Sequence, residues 1–111
     1  MVVENPCKMN TPRLEKLKEM EAQKPDDAFL KYAIAQEWIA LDNQQEALKC
    51  YLLLRQNFAE YLPTYYQLGK LYEALDETAK ALEAYQQGVI IARQQNNAKT
   101  LRELNDAIEM L

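Results

Sequence analysis

The sequence predicts an all-α fold built from repeated helix pairs, and three observations predict it. Ala, Leu, Glu, Gln and Lys dominate the 111 residues, against only two glycines and four prolines. These are strong helix formers, and β-branched residues cluster only at Val89-Ile90-Ile91. Apolar residues recur three and four positions apart, the spacing that gathers them on one face of a helix. Finally, sliding the chain by 34 residues lays 28–61 over 62–95 with seven identities: Tyr32/Tyr66, Ala40/Ala74, Leu41/Leu75, Asp42/Asp76, Ala47/Ala81, Leu48/Leu82 and Tyr51/Tyr85. Chance supplies roughly two or three at such a composition.

Taken in order, Thr11-Pro12 reads as an N-cap and first turn, opening a helix over 12–23 through Leu14, Leu17 and Met20. The first full pair follows at 26–40 and 44–57. Its stripes are Ile34, Ala35, Trp38 and Leu41, then Ala47, Leu48, Tyr51 and Leu54. The second pair, at 63–75 and 77–95, repeats them with Tyr65, Leu68, Gly69 and Tyr72, then Ala81, Leu82, Tyr85, Val89 and Ala92. Small residues at Ala35, Gly69, Ala47 and Ala81 let helix axes approach, and large aromatics beside them fill the space. Asn96-Asn97 breaks the pattern, and Leu101, Leu104, Ile108 and Leu111 line a last helix over 98–110.

This pattern resembles the tetratricopeptide repeat (TPR) family, whose signature is an aromatic, Leu-Gly and Tyr at fixed spacing, then Ala, three residues and an aromatic. The second unit carries Tyr65-x-x-Leu68-Gly69-x-x-Tyr72 and Ala81-x-x-x-Tyr85. The first is looser, with Lys31, Ala35 and Trp38 in the leading positions and Ala47-x-x-x-Tyr51 intact. Asp42 and Asp76 replace the glycine between the paired helices, a turn that aspartate tolerates while also capping the next helix. The closing proline is absent at Ala59 and Arg93, and Pro25 occupies its place one period earlier. In the last helix, Lys99, Arg102 and Glu103 stand at the signature positions, as a terminal cap with a polar outer face requires. The resemblance implies a right-handed TPR-type α-solenoid of about six antiparallel helices, two full pairs plus flanking N- and C-terminal helices. One helical domain is expected over 11–111, with repeats 28–61 and 62–95 and a cap helix at 98–110. Residues 1–10 are expected to be disordered or extraneous, and Met9 is a second candidate start.

Composition excludes several functions. A formal net charge of −4 with no basic run argues against nucleic acid. No apolar run is long enough to span a membrane or to form a secretory signal near Met1, so a cytoplasmic protein without membrane contact is expected. Cys7 and Cys50 lack metal-ligand spacing, there is no histidine, and the two read as unrelated free thiols. Neither metal nor cofactor is expected. Nor is catalysis: no base stands near Cys50, and Glu15, Glu19, Glu21, Glu46, Glu83, Glu103 and Glu109 read as solvated helix faces.

Stacked helix pairs present a concave surface to extended partners, and in TPR proteins the first helix of each pair lines it. The resemblance therefore places Phe29, Tyr32, Gln36 and Ile39 from one pair and Pro63, Tyr66, Lys70 and Glu73 from the other in a groove that binds a protein or peptide segment. Asn97, Thr100, Leu101 and Leu104 extend it from the cap helix, part of the two leucines serving the core. Tyr32 and Tyr66 are identical across the repeat yet lie outside the packing signature; they are either aromatic anchors for a partner or tyrosines that pack neighbouring helices. Lys70 offers a charge contact to an acidic partner. One TPR subgroup clamps the C-terminal carboxylate of heat-shock chaperones with lysines, asparagines and an arginine. Here those positions hold Tyr32, Gln36, Gln67, Pro63, Asn97 and Leu101, so that clamp is missing. The alternative is a self-assembling homo-oligomer that pairs through Leu14, Leu17 and Met20.

Overall fold

The computed structural model describes residues 11–111, and these form six helices without a strand. They are α1 (Pro12–Gln23), α2 (Ala28–Ala40), α3 (Gln44–Asn57), α4 (Pro63–Ala74), α5 (Thr78–Gln94) and α6 (Ala98–Glu109). The N-terminal segment 1–10, with Cys7, lies outside the described residues. Every helix falls within two residues of its expected span, and the small offsets have local causes. The α2 helix starts at Ala28 because Asp27 is its N-cap, accepting hydrogen bonds from the amides of Phe29 and Leu30. Leu75, Gln95 and Met110 drop out of their helices as C-cap residues. Thr11 caps α1 as expected, its hydroxyl accepting from Leu14 N at 3.0 Å with Pro12 in the first turn.

The turns after α2, α4 and α5 share one construction. Asp42, Asp76 and Asn96 adopt left-handed backbone angles, with φ of 60°, 60° and 56°. The next amide reaches back to the helix each time: Asn43 N to Trp38 O at 2.9 Å, Glu77 N to Tyr72 O at 2.8 Å, Asn97 N to Ala92 O at 2.9 Å. This is the Schellman closure, normally supplied by glycine; Asp and Asn are the side chains that best tolerate its geometry. The structure corrects one expectation here. Asp42 and Asp76 end the preceding helix rather than cap the following one. Asn43 supplies the cap of α3, its Oδ1 accepting from Glu46 N at 3.2 Å, and Glu77 makes no side-chain cap at α5.

The chain forms two compact units, one ending at Leu54 and the other running from Arg55 to Leu111. In the first, α1 lies antiparallel to α2. Arg13 near the start of α1 pairs with Glu37 near the end of α2 at 2.9 Å, while Glu21 near the end of α1 pairs with Lys31 near the start of α2, also at 2.9 Å. Lys18 sits over the Trp38 ring between them, 5.2 Å from its centroid. Beneath these polar contacts Leu14, Leu30, Ile34, Ala35, Trp38, Ala47, Tyr51 and Leu54 are buried. Leu14 is fully covered, Leu17 half-buried and Met20 41% exposed. Of the apolar stripe of α1, Leu14 is spent inside the unit, while Leu17 and Met20 keep part of their surface open.

In the second unit α4 and α5 are antiparallel partners. Tyr65 meets Gly88, Gly69 meets Tyr85, and Tyr72 lies under the Lys80 ammonium, so residue numbers rise along α4 as they fall along α5. The two glycines are sites of close approach. A Cβ on Gly69 would stand 2.2 Å from Cε1 of Tyr85, and one on Gly88 2.7 Å from the Tyr65 Cβ and 3.0 Å from Leu104 of α6. Each gap is filled by an aromatic or leucine side chain, which restores interior density. Leu104 and Ala107 of α6 are buried, whereas Lys99, Arg102 and Glu103 are exposed, giving the terminal helix the polar outer face expected of a cap.

Candidate protein-binding faces

The α2 face expected to meet a partner comprises Phe29, Tyr32, Gln36 and Ile39, spaced three, four and three residues apart. Phe29 is 60% exposed and Ile39 38%, so both apolar side chains are open on this face. Between them lies an ordered polar bridge. Gln36 donates from Nε2 to the Tyr32 hydroxyl at 3.2 Å and accepts from the Tyr51 hydroxyl at 2.8 Å. The Tyr32 ring meets Tyr51 edge-on, centroids 6.1 Å apart. Burial, then the neighbouring Tyr32, raises the Tyr51 phenol well above its ordinary range. It remains a neutral donor throughout the physiological range.

The α4 face holds Pro63, Tyr66, Lys70 and Glu73. Pro63 opens the helix at its first turn and is exposed, as is Lys70; Tyr66 and Glu73 are half-buried. Tyr66 stands against Tyr85 at the same 6.1 Å centroid distance seen in the first unit, and the Lys70 ammonium lies 5.7 Å from the Tyr66 ring centroid. Tyr85 donates its hydroxyl to a Glu73 carboxylate oxygen. Burial first, and then that hydrogen bond and the Glu73 charge, push the Tyr85 phenol upward. Both repeated tyrosines thus rest on the core tyrosine of their own unit while keeping part of their surface open.

The cap-helix positions fare differently. Asn97 is the N-cap of α6, accepting from Thr100 N at 3.0 Å, so those two residues are engaged in helix initiation. Leu104 is fully buried and Leu101 half-buried, and both serve the core. Cys50 is a free thiol, half-buried in α3. Burial, then Glu46 and Glu21, push its thiol up to about 11. A thiol held in the protonated form is a poor nucleophile. Among the described residues no cluster of His, Cys, Asp or Glu is arranged to hold a metal ion, and no helix is long and apolar enough to cross a membrane.

A feature that periodicity does not reveal lies in the second unit. A cleft of about 540 Å³ is lined by Arg55, Ala59, Tyr65, Glu83, Gln87, Ile90 and Ile91. Arg55 Nη1 donates to Gln87 Oε1 at 3.1 Å. The 34-residue alignment sets Arg55 against Val89 and Gln87 against Leu53. A reading that looks for what repeats passes over both; the signal was the departure from the repeat.

Neither a protein-family model nor a curated protein matches the chain. Solved structures do. A crystal structure of a tetratricopeptide repeat domain protein from Salinibacter ruber is 44% identical, with a TM-score of 0.73, covering 77% of this chain and 94% of that one. A solution NMR structure of a tetratricopeptide repeat domain protein from the same organism is likewise 44% identical, with a TM-score of 0.75 and coverage of 78% and 88%. The solution structure of a Bordetella parapertussis protein has a TM-score of 0.76 over 92% of this chain and 88% of that one, but at 20% identity it speaks for the fold alone. With paired helices, the repeated signature and this level of identity over nearly the whole of a tetratricopeptide repeat domain, the chain belongs to the tetratricopeptide repeat family.

Proposed function

We propose that this protein binds a segment of a partner protein through the first helix of each repeat, with Phe29, Tyr32, Gln36 and Ile39 of α2 and Pro63, Tyr66, Lys70 and Glu73 of α4 as the contacting residues. The observation that carries the reading is the exposure of Phe29 and Ile39 on either side of the ordered Tyr32–Gln36 bridge. Large apolar side chains left open beside rigid aromatics are the usual makings of an interaction hot spot. Membership of a repeat family known for such surfaces supports the same reading, while the partner's identity lies beyond what a fold can specify. The basic carboxylate clamp of the chaperone-binding subgroup has no counterpart on these two faces. Lys70 is the exposed cation among the eight residues, and its ammonium lies near Tyr66. The favoured partner segment is therefore aliphatic or aromatic opposite α2.

Tyr32 and Tyr66 are poor first targets for mutation, because each ring rests on a buried tyrosine and its removal would loosen the core. The test is affinity capture from native lysate with the wild-type chain and with a Phe29→Ser, Ile39→Ser variant whose melting temperature is unchanged. A partner recovered by the wild type and lost by the variant supports the proposal. Equal recovery by both overturns the assignment of the α2 face. Sedimentation on the same samples reads out self-association, and a dimer dispersed by the double variant would assign the face to a second copy of the chain instead.

A further inference from the structure

We propose a second binding site, the Arg55 cleft of the second unit, whose occupant is a glutamate or aspartate side chain flanked by an aliphatic residue on a partner peptide. The cation carries the argument. Like several other cations among the described residues, Arg55 has no carboxylate within ion-pair distance; it differs from them in being held by a side-chain hydrogen bond inside a cleft. Its hydrogen-bonding partner is the neutral amide of Gln87, at 3.1 Å. That contact uses one donor and steadies the guanidinium without neutralising it, so the remaining donors of the planar fork are left for a ligand. A carboxylate fits this fork in two-pronged fashion, and a charge-assisted bond to a steadied guanidinium is stronger than one to a mobile lysine.

The walls specify what flanks the carboxylate. Ile90 is 55% exposed and Ile91 half-buried, and both line the same cleft as Arg55. An aliphatic side chain adjacent to the acidic one would cover them. The cleft is shallow and open to solvent, so it suits a pair of side chains on a peptide rather than an enclosed cofactor. Glu83 also lines the cleft, exposed and farther than ion-pair distance from Arg55. It repels an acidic ligand and so weakens binding, which supplies an internal control of sign. A basic occupant would seek Glu83 and avoid Arg55; an acidic one does the reverse.

The experiment titrates the isotopically labelled full chain with acetyl-Leu-Glu-Leu-Glu-amide and with its glutamine counterpart, following the amide resonances of Arg55, Gln87, Ile90 and Ile91. The glutamate peptide is expected to shift them saturably and the glutamine peptide at least about fivefold more weakly. Arg55→Gln is expected to weaken the glutamate peptide by about tenfold, and Glu83→Gln to tighten it about two- to threefold. Both substitutions are at solvent-reachable positions, and unchanged helicity by circular dichroism separates loss of the site from loss of the fold. Arg55→Lys, which keeps the charge and loses the fork, is expected to fall between wild type and Arg55→Gln. Absence of saturable shifts at these residues, equal binding of the two peptides, or indifference to Arg55→Gln would each overturn the proposal.

Discussion

The two repeats solve the same packing problem with different hydroxyl partners. Tyr51 and Tyr85 occupy equivalent positions, both are fully buried, and each supports an outer tyrosine at a centroid distance of 6.1 Å. Yet Tyr51 donates to Gln36, whereas Tyr85 donates to Glu73. In the repeat alignment Gln36 corresponds to Lys70, and Glu73 to Ile39, so the acceptor has moved by nearly one helical turn. Lys70 and Ile39 carry no acceptor, so each core tyrosine takes the acceptor that its own partner-facing helix supplies. Gly69 lets the Tyr85 ring lie directly on the α4 backbone, where the ring carbons occupy the place of a Cβ. Its counterpart, Ala35, carries that Cβ and is itself fully buried. The Tyr51 hydroxyl reaches Gln36, the next residue along α2. The residue types along the partner-facing helix thus decide which polar side chain is tied to the core tyrosine, and the small residue beneath decides how close the ring lies to the backbone.

The sharpest way to break this comparison is to exchange the small residues. Gly69→Ala places a methyl 2.2 Å from the Tyr85 ring, and in a fully packed site that misfit is expected to cost about 3 kcal/mol in urea unfolding. Ala35→Gly removes a fully buried methyl, and the expected loss is about 1–2 kcal/mol from helix propensity and lost contact. Adding Lys70→Gln to Gly69→Ala gives the second unit the acceptor of the first, and partial recovery of stability is expected. Equal costs for the two single substitutions would show that the glycine does not set the ring's position.

A smaller effect tests the hydroxyls themselves. Tyr85→Phe leaves the half-buried Glu73 carboxylate without its donor and is expected to cost about 1.5 kcal/mol. Tyr51→Phe leaves Gln36 still bonded to Tyr32, and about 0.5–1 kcal/mol is expected. A double-mutant cycle between Tyr85→Phe and Glu73→Gln measures the coupling directly. No coupling would mean that the hydrogen bond contributes nothing to the second unit.

Much of this was legible before any coordinates. The identities at Tyr32/Tyr66 and Tyr51/Tyr85 encode the two ring pairs, and the spacing of Ala, Leu and aromatic residues fixed six helices to within two residues. Periodicity reports which face is apolar, and so it finds cores well. It is silent on what a side chain's end touches. Tyr51 and Tyr85 are identical letters with different partners, and Asp42 is read equally well as a turn residue or as a cap until its φ of 60° decides. Arg55 was invisible for the opposite reason, since a search for recurrence discards what occurs once.

Smaller still is the effect at Thr64, whose counterpart in the first unit is Leu30. Both are buried, but the Thr64 hydroxyl is sealed from solvent and has no hydrogen-bond partner among the described residues. Thr64→Val keeps the shape and removes the orphaned oxygen, so a gain of about 1 kcal/mol is expected in thermal or urea unfolding. A loss would reveal a partner for the hydroxyl and remove this asymmetry between the units.

The smallest expected effect is a slope rather than a stability. Cys50 of the first unit aligns with Ala84 of the second, so a titratable group stands in one repeat where the other has a methyl. Burial, then the carboxylates of Glu46 and Glu21, raise the folded thiol from 9.0 to about 11. The raised value means that the fold favours the protonated form. Its contribution is therefore fully present below pH 9, where the unfolded thiol is also protonated. It is lost as the pH climbs from 9 toward 11 and the unfolded chain releases a proton that the folded chain retains. Stability measured between about pH 8 and 9, where the phenols of the unfolded chain are still mostly protonated, should begin to decline in the wild type. The decline should be shallower in Cys50→Ala, which makes the two units alike at this position. Parallel curves for the two proteins would mean that the thiol is as free to ionise in the folded state as in the unfolded chain, and that burial in α3 does not distinguish Cys50 from an exposed cysteine.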